Sequence, residues 1–169
     1  MVLAPIAERE QDGRKPICFR SSFFANLSRI SKNYKGTMKL YAFLNNTVNK
    51  HFRESDALHS LRENVGYANG YVAVPPEHPL YGSDYNLAND YVEVHGGLTF
   101  GELMEEIKAD GWRDDTEGIN IEKFDDIPQD YWVFGFDTMH FNDGPHHDRE
   151  WCINETKNLM EQLENIKEL

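Results

Sequence analysis

The sequence predicts an α+β fold, in which a small, mainly antiparallel sheet is packed by helices and carries an N-terminal helical extension. Three segments rich in β-forming residues, near 67–74, 91–95 and 131–137, are each of strand length. Apolar residues recur at helical spacing in the first third of the chain and again over residues 147–168. The chain has 169 residues, 40% of them hydrophobic, which is enough for one domain with its own core.

Residues 1–60 are predicted to form a basic, helical N-terminal extension. Their Lys, Arg, Asp and Glu residues sum to +5, whereas those of residues 61–169 sum to −17. Apolar side chains at helical spacing predict one helix over about 20–32 and one or two more between Met38 and Asn64. Residues 61–169 are therefore expected to be the acidic core domain that carries the site, with the N-terminal helices as an extra layer.

The first two strands of the core domain are predicted on either side of a loop. β-Forming residues fill Tyr67–Val74, and Pro75-Pro76 ends this strand because proline cannot donate to a sheet ladder. Residues 77–90 contain the prolines, glycines, asparagines and aspartates that are typical of a loop. Apolar and polar residues then alternate over Tyr91–His95, which predicts the second strand.

The rest of the core domain is predicted to add two helices and a central strand. A capping box at Thr99–Glu102 predicts a helix over about 100–109. The apolar run over 131–137 predicts a strand buried on both faces. An amphipathic helix is predicted over 147–168, with Glu155 interrupting its apolar stripe. Both helices are expected on the same face of the sheet.

Composition excludes several classes of protein. The net charge of −12 lies in the core domain, so direct nucleic-acid binding by that domain is not expected, because phosphate neutralisation needs a cationic surface. Two cysteines build neither a disulfide framework nor a cysteine zinc cluster. No apolar run is long enough to span a membrane, and Pro5, Glu8, Glu10 and Asp12 do not fit the pattern of a signal peptide. We therefore expect a soluble, cytoplasmic protein that does not bind membranes.

The first candidate cluster for chemistry is His95-Gly96-Gly97-Leu98-Thr99. Its glycine pair permits close backbone approach, and the helix predicted just beyond would expose free N–H groups. Such an arrangement suits an anion, in particular a phosphate. The alternative is a tight turn without a ligand.

The second candidate cluster follows the predicted central strand and runs from Asp137 to Asp143, with Asp137 and His140 three residues apart. A carboxylate that fixes the tautomer of an imidazole forms an acid–base pair. The two residues could equally ligate a metal with help from His146, His147 and Asp148, or simply end a strand. His146 and His147 lie where a helix is predicted to begin and are expected to be solvated, so no metal and no cofactor are predicted.

The third candidate cluster lies on the proline-stiffened loop after the first strand and contains His78, Tyr81 and Tyr85. Tyrosines beside an imidazole form a flat wall suited to a nucleobase or a sugar. An ordinary packed loop is the alternative.

Three strings in the core domain resemble a family of small proteins encoded by bacteriophages and prophages. They are Gly70-Tyr71-Val72-Ala73-Val74-Pro75 with His78-Pro79-Leu80-Tyr81-Gly82, then Val94-His95-Gly96-Gly97-Leu98-Thr99, and then Trp132-Val133-Phe134-Gly135-Phe136-Asp137-Thr138-Met139-His140. The resemblance covers residues 66–169, and residues 1–60 depart from it. It implies an accessory phage protein in the cytoplasm of an infected bacterial host, and it carries no catalytic assignment.

Three functions are compatible with the sequence. The first is a counter-defence protein that binds and sequesters a small nucleotide-derived signal, either as a monomer or as a homo-oligomer. Its ligand-binding residues would be His78, Tyr81, Tyr85, His95, Gly96, Gly97, Thr99, Asp137 and His140. The second is a phosphodiesterase-type hydrolase in which His95 and His140 are acid and base and Asp137 orients one of them. The third is a structural or host-interaction protein without a small-molecule site.

Overall fold

The computed structural model describes residues 38–112, 116–118 and 124–169, which belong to one compact unit over residues 36–169. The helix predicted over 20–32 lies outside the described residues. The strands are β1 (Tyr41–Asn45), β2 (Asn69–Val74), β3 (Phe100–Leu103), β4 (Thr116–Gly118) and β5 (Trp132–Phe136). The α-helices are α1 (Thr47–Glu54), α2 (Tyr85–Ala88), α3 (Met104–Ala109) and α4 (Arg149–Asn165), and 3-10 helices span Asp56–Asn64 and Phe124–Asp126.

The five strands form one antiparallel sheet in the order β3-β5-β2-β1-β4. The predicted α+β class and the mainly antiparallel sheet packed by helices are confirmed. In the pairing of β2 with β5, two aromatic residues each lie opposite a glycine. Tyr71 lies opposite Gly135, and Phe136 lies opposite Gly70. A Cβ atom on either glycine would lie within 2.4 Å of the facing aromatic ring, so each glycine makes room for the ring across the ladder.

The two faces of the sheet are covered by different helices, which corrects the prediction that both helices lie on one face. On one face α4 packs Leu159 and Leu163 against Val72 and Phe134. On the other face α3 packs Met104 and Ile107 against Tyr41, Phe43, Tyr71 and Val133. Successive side chains of a strand point to opposite faces, so both helices are needed to bury a sheet that is apolar on both sides.

The prediction of helix between Met38 and Asn64 is wrong for its first part. Residues 41–45 form β1, which pairs with β2 and β4 inside the sheet. The run from Leu40 to Leu44 is apolar at every position and buried throughout, as in a strand covered on both faces. A boundary at residue 60 would separate β1 from its sheet partners, whereas the compact unit begins at residue 36. The helical prediction holds for α1 and the 3-10 helix at 56–64.

The predicted strand at Tyr91–His95 is absent, because its backbone is bound by side chains of α4 rather than by another strand. The Glu93 N–H donates to Gln162 Oε1, and Gln162 Nε2 donates to the Glu93 carbonyl. The His95 N–H donates to Glu155 Oε1 at 2.7 Å. Val92 and Val94 are buried, so the alternation of apolar and polar residues reflects an extended segment packed on a helix.

The predicted capping box and helix start at Thr99–Glu102 are also wrong. The Thr99 N–H donates to the Gly135 carbonyl, and residues 100–103 pair with β5 as the edge strand β3. The helix begins only at Met104 and has six residues. Pairing with β5 therefore overrides the local capping pattern.

The predictions of β2, β5 and the C-terminal helix are confirmed. The structure gives Asn69–Val74, Trp132–Phe136 and Arg149–Asn165, and Asp148 caps the last of these by accepting from the Trp151 N–H. Among the described residues, we find no helix with the length and apolar character needed to cross a membrane.

Candidate functional site

A cluster of three histidines and one aspartate lies at one end of the sheet. The loop after β5 carries His140, Asp143 and His147, and the segment between α2 and β3 carries His95. At this end of the sheet Gly70 of β2 pairs with Phe136 of β5. We refer to His95, His140, Asp143 and His147 as the Asp143 cluster and to this end as the Asp143 end of the sheet.

Asp143 is the centre of the cluster, and its carboxylate is only 4% exposed. Its Oδ1 atom accepts from His95 Nε2 at 2.9 Å and lies 3.7 Å from His147 Nδ1. Its Oδ2 atom accepts from the backbone N–H of His140 at 2.7 Å and from His140 Nδ1 at 3.2 Å. One buried carboxylate therefore orients the rings of His95 and His140 and lies beside the ring of His147.

The cluster favours an ionised Asp143 beside a neutral His147. Burial alone would raise the pKa of Asp143, but the His140 backbone N–H and the adjacent His95 outweigh it, so this pKa is lowered. Burial lowers the pKa of His147, despite the opposing influence of the Asp143 charge. A neutral His147 can offer a lone pair as an acceptor or as a ligand.

Two neighbours position the rings. Gly96 has φ +66°, and a Cβ atom there would lie 2.3 Å from His140 Cε1, so only glycine lets the His140 ring pack on this turn. The Trp151 ring, in the first turn of α4, meets the His95 and His147 rings edge-on, with centroids 5.1 Å and 4.3 Å away. The imidazoles are therefore packed as well as hydrogen-bonded.

A buried polar network anchors the loop after β5 to α1. Asn49 Nδ2 donates to the Gly66 carbonyl and to Thr138 Oγ1, and Thr138 Oγ1 donates to the Ala68 carbonyl. The Tyr67 N–H donates to the His147 carbonyl at 2.7 Å. These bonds hold both ends of the loop against the chain that enters β2, so the loop is fixed where the cluster forms.

An open pocket of about 480 Å³ adjoins the cluster. It is lined by Glu93, Val94, His95, Glu155, Asn158 and Gln162. His95 belongs to both, and its side chain is 25% exposed, so a molecule in the pocket can reach the edge of the cluster. Among the described residues, the lining carries two glutamates and neither lysine nor arginine.

Of the predicted site residues, the structure brings together His95, His140, Gly96 and Asp137. The rings of His95 and His140 are 5.4 Å apart. Asp137 lies 3.8 Å from His140 Nδ1 and also accepts from the Met139 N–H at 3.0 Å, so Asp143 rather than Asp137 is the nearer partner of His140.

The predicted phosphate site on the glycine turn has no helix behind it, and its amides are already used. The Gly97 N–H donates to the Val94 carbonyl, the Leu98 N–H to Asn89 Oδ1 and the Thr99 N–H to the Gly135 carbonyl. Gly97 and Thr99 therefore act in the turn and in the start of β3.

His78, Tyr81 and Tyr85 lie away from the cluster. His78 contacts the Leu163 carbonyl, which is about 18 Å along α4 from Trp151 at 1.5 Å per residue. The Tyr81 hydroxyl donates to the Asp130 carbonyl, and Tyr85 lies beside Gly101. These residues pack around the opposite end of the sheet, where Val74 pairs with Trp132, and we call this the His78 end.

Sequence reasoning placed Asp143 and His147 only beside the Asp137–His140 pair, without a role as partners of His95, and it missed Trp151. Asp143 lies in an Asn-Asp-Gly-Pro turn, which favours a loop without a function. His147 was expected to be solvated but is 7% exposed, because the chain folds back at Gly144 and buries its ring. One feature of the sequence did point to the site. Glu155 interrupts the apolar stripe of α4, and in the structure its side chain accepts from the His95 N–H.

Comparison of the chain with protein-family models, with curated proteins and with solved structures gives no match.

Proposed function

We propose that the protein hydrolyses a small, phosphate-bearing ligand of the nucleotide class at the Asp143 cluster, in the cytoplasm of an infected bacterial host. The observation that carries this proposal is the pair of partly exposed imidazoles, His95 and His140, bound to one buried carboxylate beside an open pocket. The ligand class comes from the resemblance to phage proteins, and the reaction class comes from the cluster.

His140 is assigned as the general acid and base. Its Nδ1–H donates to Asp143 Oδ2, which leaves the lone pair on Nε2. In hydrolysis Nε2 takes a proton from the water that attacks phosphorus and returns a proton to the leaving oxygen. Its side chain is 36% exposed, so both steps are open to solvent and ligand. His95 lines the pocket and contacts the bound ligand.

A sequestering protein is the second candidate, and the pocket favours it. Retention without turnover needs only a polar cavity, and Asn158 and His95 supply amide and imidazole groups there. The two functions share the ligand class and the location.

The two candidates are separated by what the protein releases. The full chain is incubated with a panel of linear and cyclic nucleotides, freed of unbound ligand and then heated, and the supernatant is analysed by mass spectrometry. Cleaved nucleotide supports the hydrolase, and intact retained nucleotide supports the sequestering protein. Neither loss nor retention of any nucleotide would overturn both.

Matched variants tie the result to the cluster. His140→Gln is expected to abolish cleavage, whereas His59→Gln changes an exposed imidazole of the 3-10 helix at 56–64 and should have no effect. Equal cleavage by both variants would remove His140 from the mechanism.

A further inference from the structure

The charge of the pocket is the main obstacle to a phosphate-bearing ligand. Glu93 and Glu155 line it and Asp143 lies behind His95, while the part of the chain that the structure describes contributes no lysine or arginine to the lining. Carboxylates that face a phosphate repel it, and neutral hydrogen-bond donors offset this only in part. A bound cation would reverse the local charge.

We infer that His95, Asp143 and His147 form a binding site for a divalent transition-metal ion, with zinc as the best fit. One ligand atom from each of the three residues lies within 4.8 Å of those of the other two. Asp143 Oδ1 lies 2.9 Å from His95 Nε2 and 3.7 Å from His147 Nδ1. Tetrahedral zinc with bonds of about 2.0–2.1 Å places its ligands about 3.3 Å apart, so only small side-chain shifts are needed.

The donor set matches the metal. Two imidazoles and one carboxylate are the ligands of a common class of catalytic zinc site, which leaves the fourth position for water or substrate. The Gly144 N–H approaches His147 Nδ1 at 3.4 Å, so this nitrogen carries a lone pair. At His95 the metal would replace the Nε2 proton that is now donated to Asp143.

Neighbouring groups fix the orientation of the three ligand side chains, as in most metal sites. The second oxygen of Asp143 is held by the His140 N–H and ring, which fixes the direction of the first. Trp151 packs on both ligating rings and limits their rotation. These contacts keep the three donors converged before an ion arrives.

The inference deepens the proposed function and rests on it only for the choice of substrate. A metal with an open position would bind a phosphate oxygen and offset the two pocket glutamates. His140 is not among the ligands and remains available as acid and base. The substrate class is then an ester whose phosphate binds the metal.

The site is tested first by metal binding without substrate. Untagged full-length protein is stripped with EDTA and titrated with zinc by calorimetry and with cobalt(II) by visible absorption. We expect one ion per chain and the d–d bands of a tetrahedral cobalt site. The absence of saturable binding at one ion per chain, or cobalt bound only in an octahedral site, would overturn the inference.

Variants locate the ion. Asp143→Asn and His95→Gln keep side-chain size and are expected to lose the cobalt spectrum, while circular dichroism and the melting temperature show whether each variant is folded. His146→Ala is the matched control, because His146 stacks on His147 with ring centroids 4.0 Å apart yet supplies no ligand. Unchanged binding by folded Asp143→Asn and His95→Gln would overturn the site, as would its loss in His146→Ala.

Failure of the metal site is distinguishable from failure of the function. Zinc binding without any effect on nucleotides would leave the site intact and reject the substrate. Cleavage or retention of a nucleotide at the same level in EDTA-stripped protein would support the function and overturn the role of the metal in it.

Discussion

Both ends of the sheet have imidazole side chains on a loop, but the hydrogen-bond partners of these imidazoles differ. At the His78 end the ring is 2% exposed, and both nitrogens are bound to backbone, with Nε2 donating to the Leu163 carbonyl and Nδ1 accepting from the Leu80 N–H. At the Asp143 end the imidazoles share one charged side chain and two of them reach solvent. An imidazole satisfied by backbone maintains the fold, whereas imidazoles gathered on a buried carboxylate beside a pocket are available for chemistry.

The largest effect on stability is expected at the His78 end. His78→Ala removes a buried ring and leaves the Leu163 carbonyl and the Leu80 N–H without partners. We expect the free energy of unfolding to fall by about 3 kcal/mol, while cobalt binding per folded molecule stays unchanged. Chemical denaturation and the cobalt titration measure the two quantities. A stable variant that no longer binds cobalt would reverse the roles of the two ends.

The opposite pattern is expected for His95→Ala. The side chain is 25% exposed and adds little to the core, and Asp143 keeps its two bonds to His140. We expect a loss of about 1.5 kcal/mol in stability, because Asp143 Oδ1 loses its hydrogen bond from His95, and a ten- to hundredfold loss in ligand affinity, since a hydrogen bond to a charged group contributes about 1.5–3 kcal/mol. Denaturation together with equilibrium binding of the nucleotide found in the panel checks this. An unfolded variant would make His95 structural.

The sequence predicted elements whose own pattern decides their structure. β2 and β5 are apolar runs of strand length, and α4 has a clear stripe with a capping aspartate at Asp148. Sequence-based prediction failed where contacts with another element of the chain decide the structure. Residues 91–95 alternate like a strand but bind α4, and residues 100–103 begin like a helix but pair with β5.

The candidate site was predictable to a similar extent. His95 and His140 follow predicted elements and were found from the sequence. Asp143 and His147 lie in a loop whose path no periodicity determines. Their convergence depends on contacts with Gly66 and Tyr67, which are distant in sequence, and with Trp151 in the following helix. The His78 loop was grouped with the site because it precedes His95 closely in sequence. In the structure it contacts the C-terminal end of α4, whereas the cluster lies at the start of that helix.

A glycine pair of matched conformation sharpens the comparison further. Gly96 and Gly82 have φ of +66° and +70°, but a Cβ atom would contact His140 at Gly96 and nothing within 4 Å at Gly82. Both alanine variants should lose about 1 kcal/mol of stability from backbone strain. Only Gly96→Ala should also slow nucleotide cleavage by at least tenfold, because it displaces the His140 ring. Equal rates in the two variants would show that the position of His140 does not matter to the reaction.

The smallest effect is a dependence of stability on pH that belongs to the His78 end. Burial lowers the pKa of His78 below its ordinary value of 6.5, with Lys167 adding to the shift and the Leu163 carbonyl opposing it. As the pH falls below 6.5 the unfolded chain takes up this proton before the folded one, so the free energy of unfolding decreases, by at most about 1.4 kcal/mol per pH unit for one such group.

His147 has a pKa shift of the same sign, so wild-type protein combines both contributions. The discriminating quantity is therefore the slope that a His78→Gln variant loses between pH 6.5 and about 5.5, above the ordinary carboxyl range. Urea denaturation in EDTA measures it without interference from metal binding, and His59→Gln, at an exposed position, should leave the slope unchanged. If His78→Gln keeps the full wild-type slope, the ring of His78 titrates as freely in the folded protein as in water, and the contrast between the two ends of the sheet does not hold.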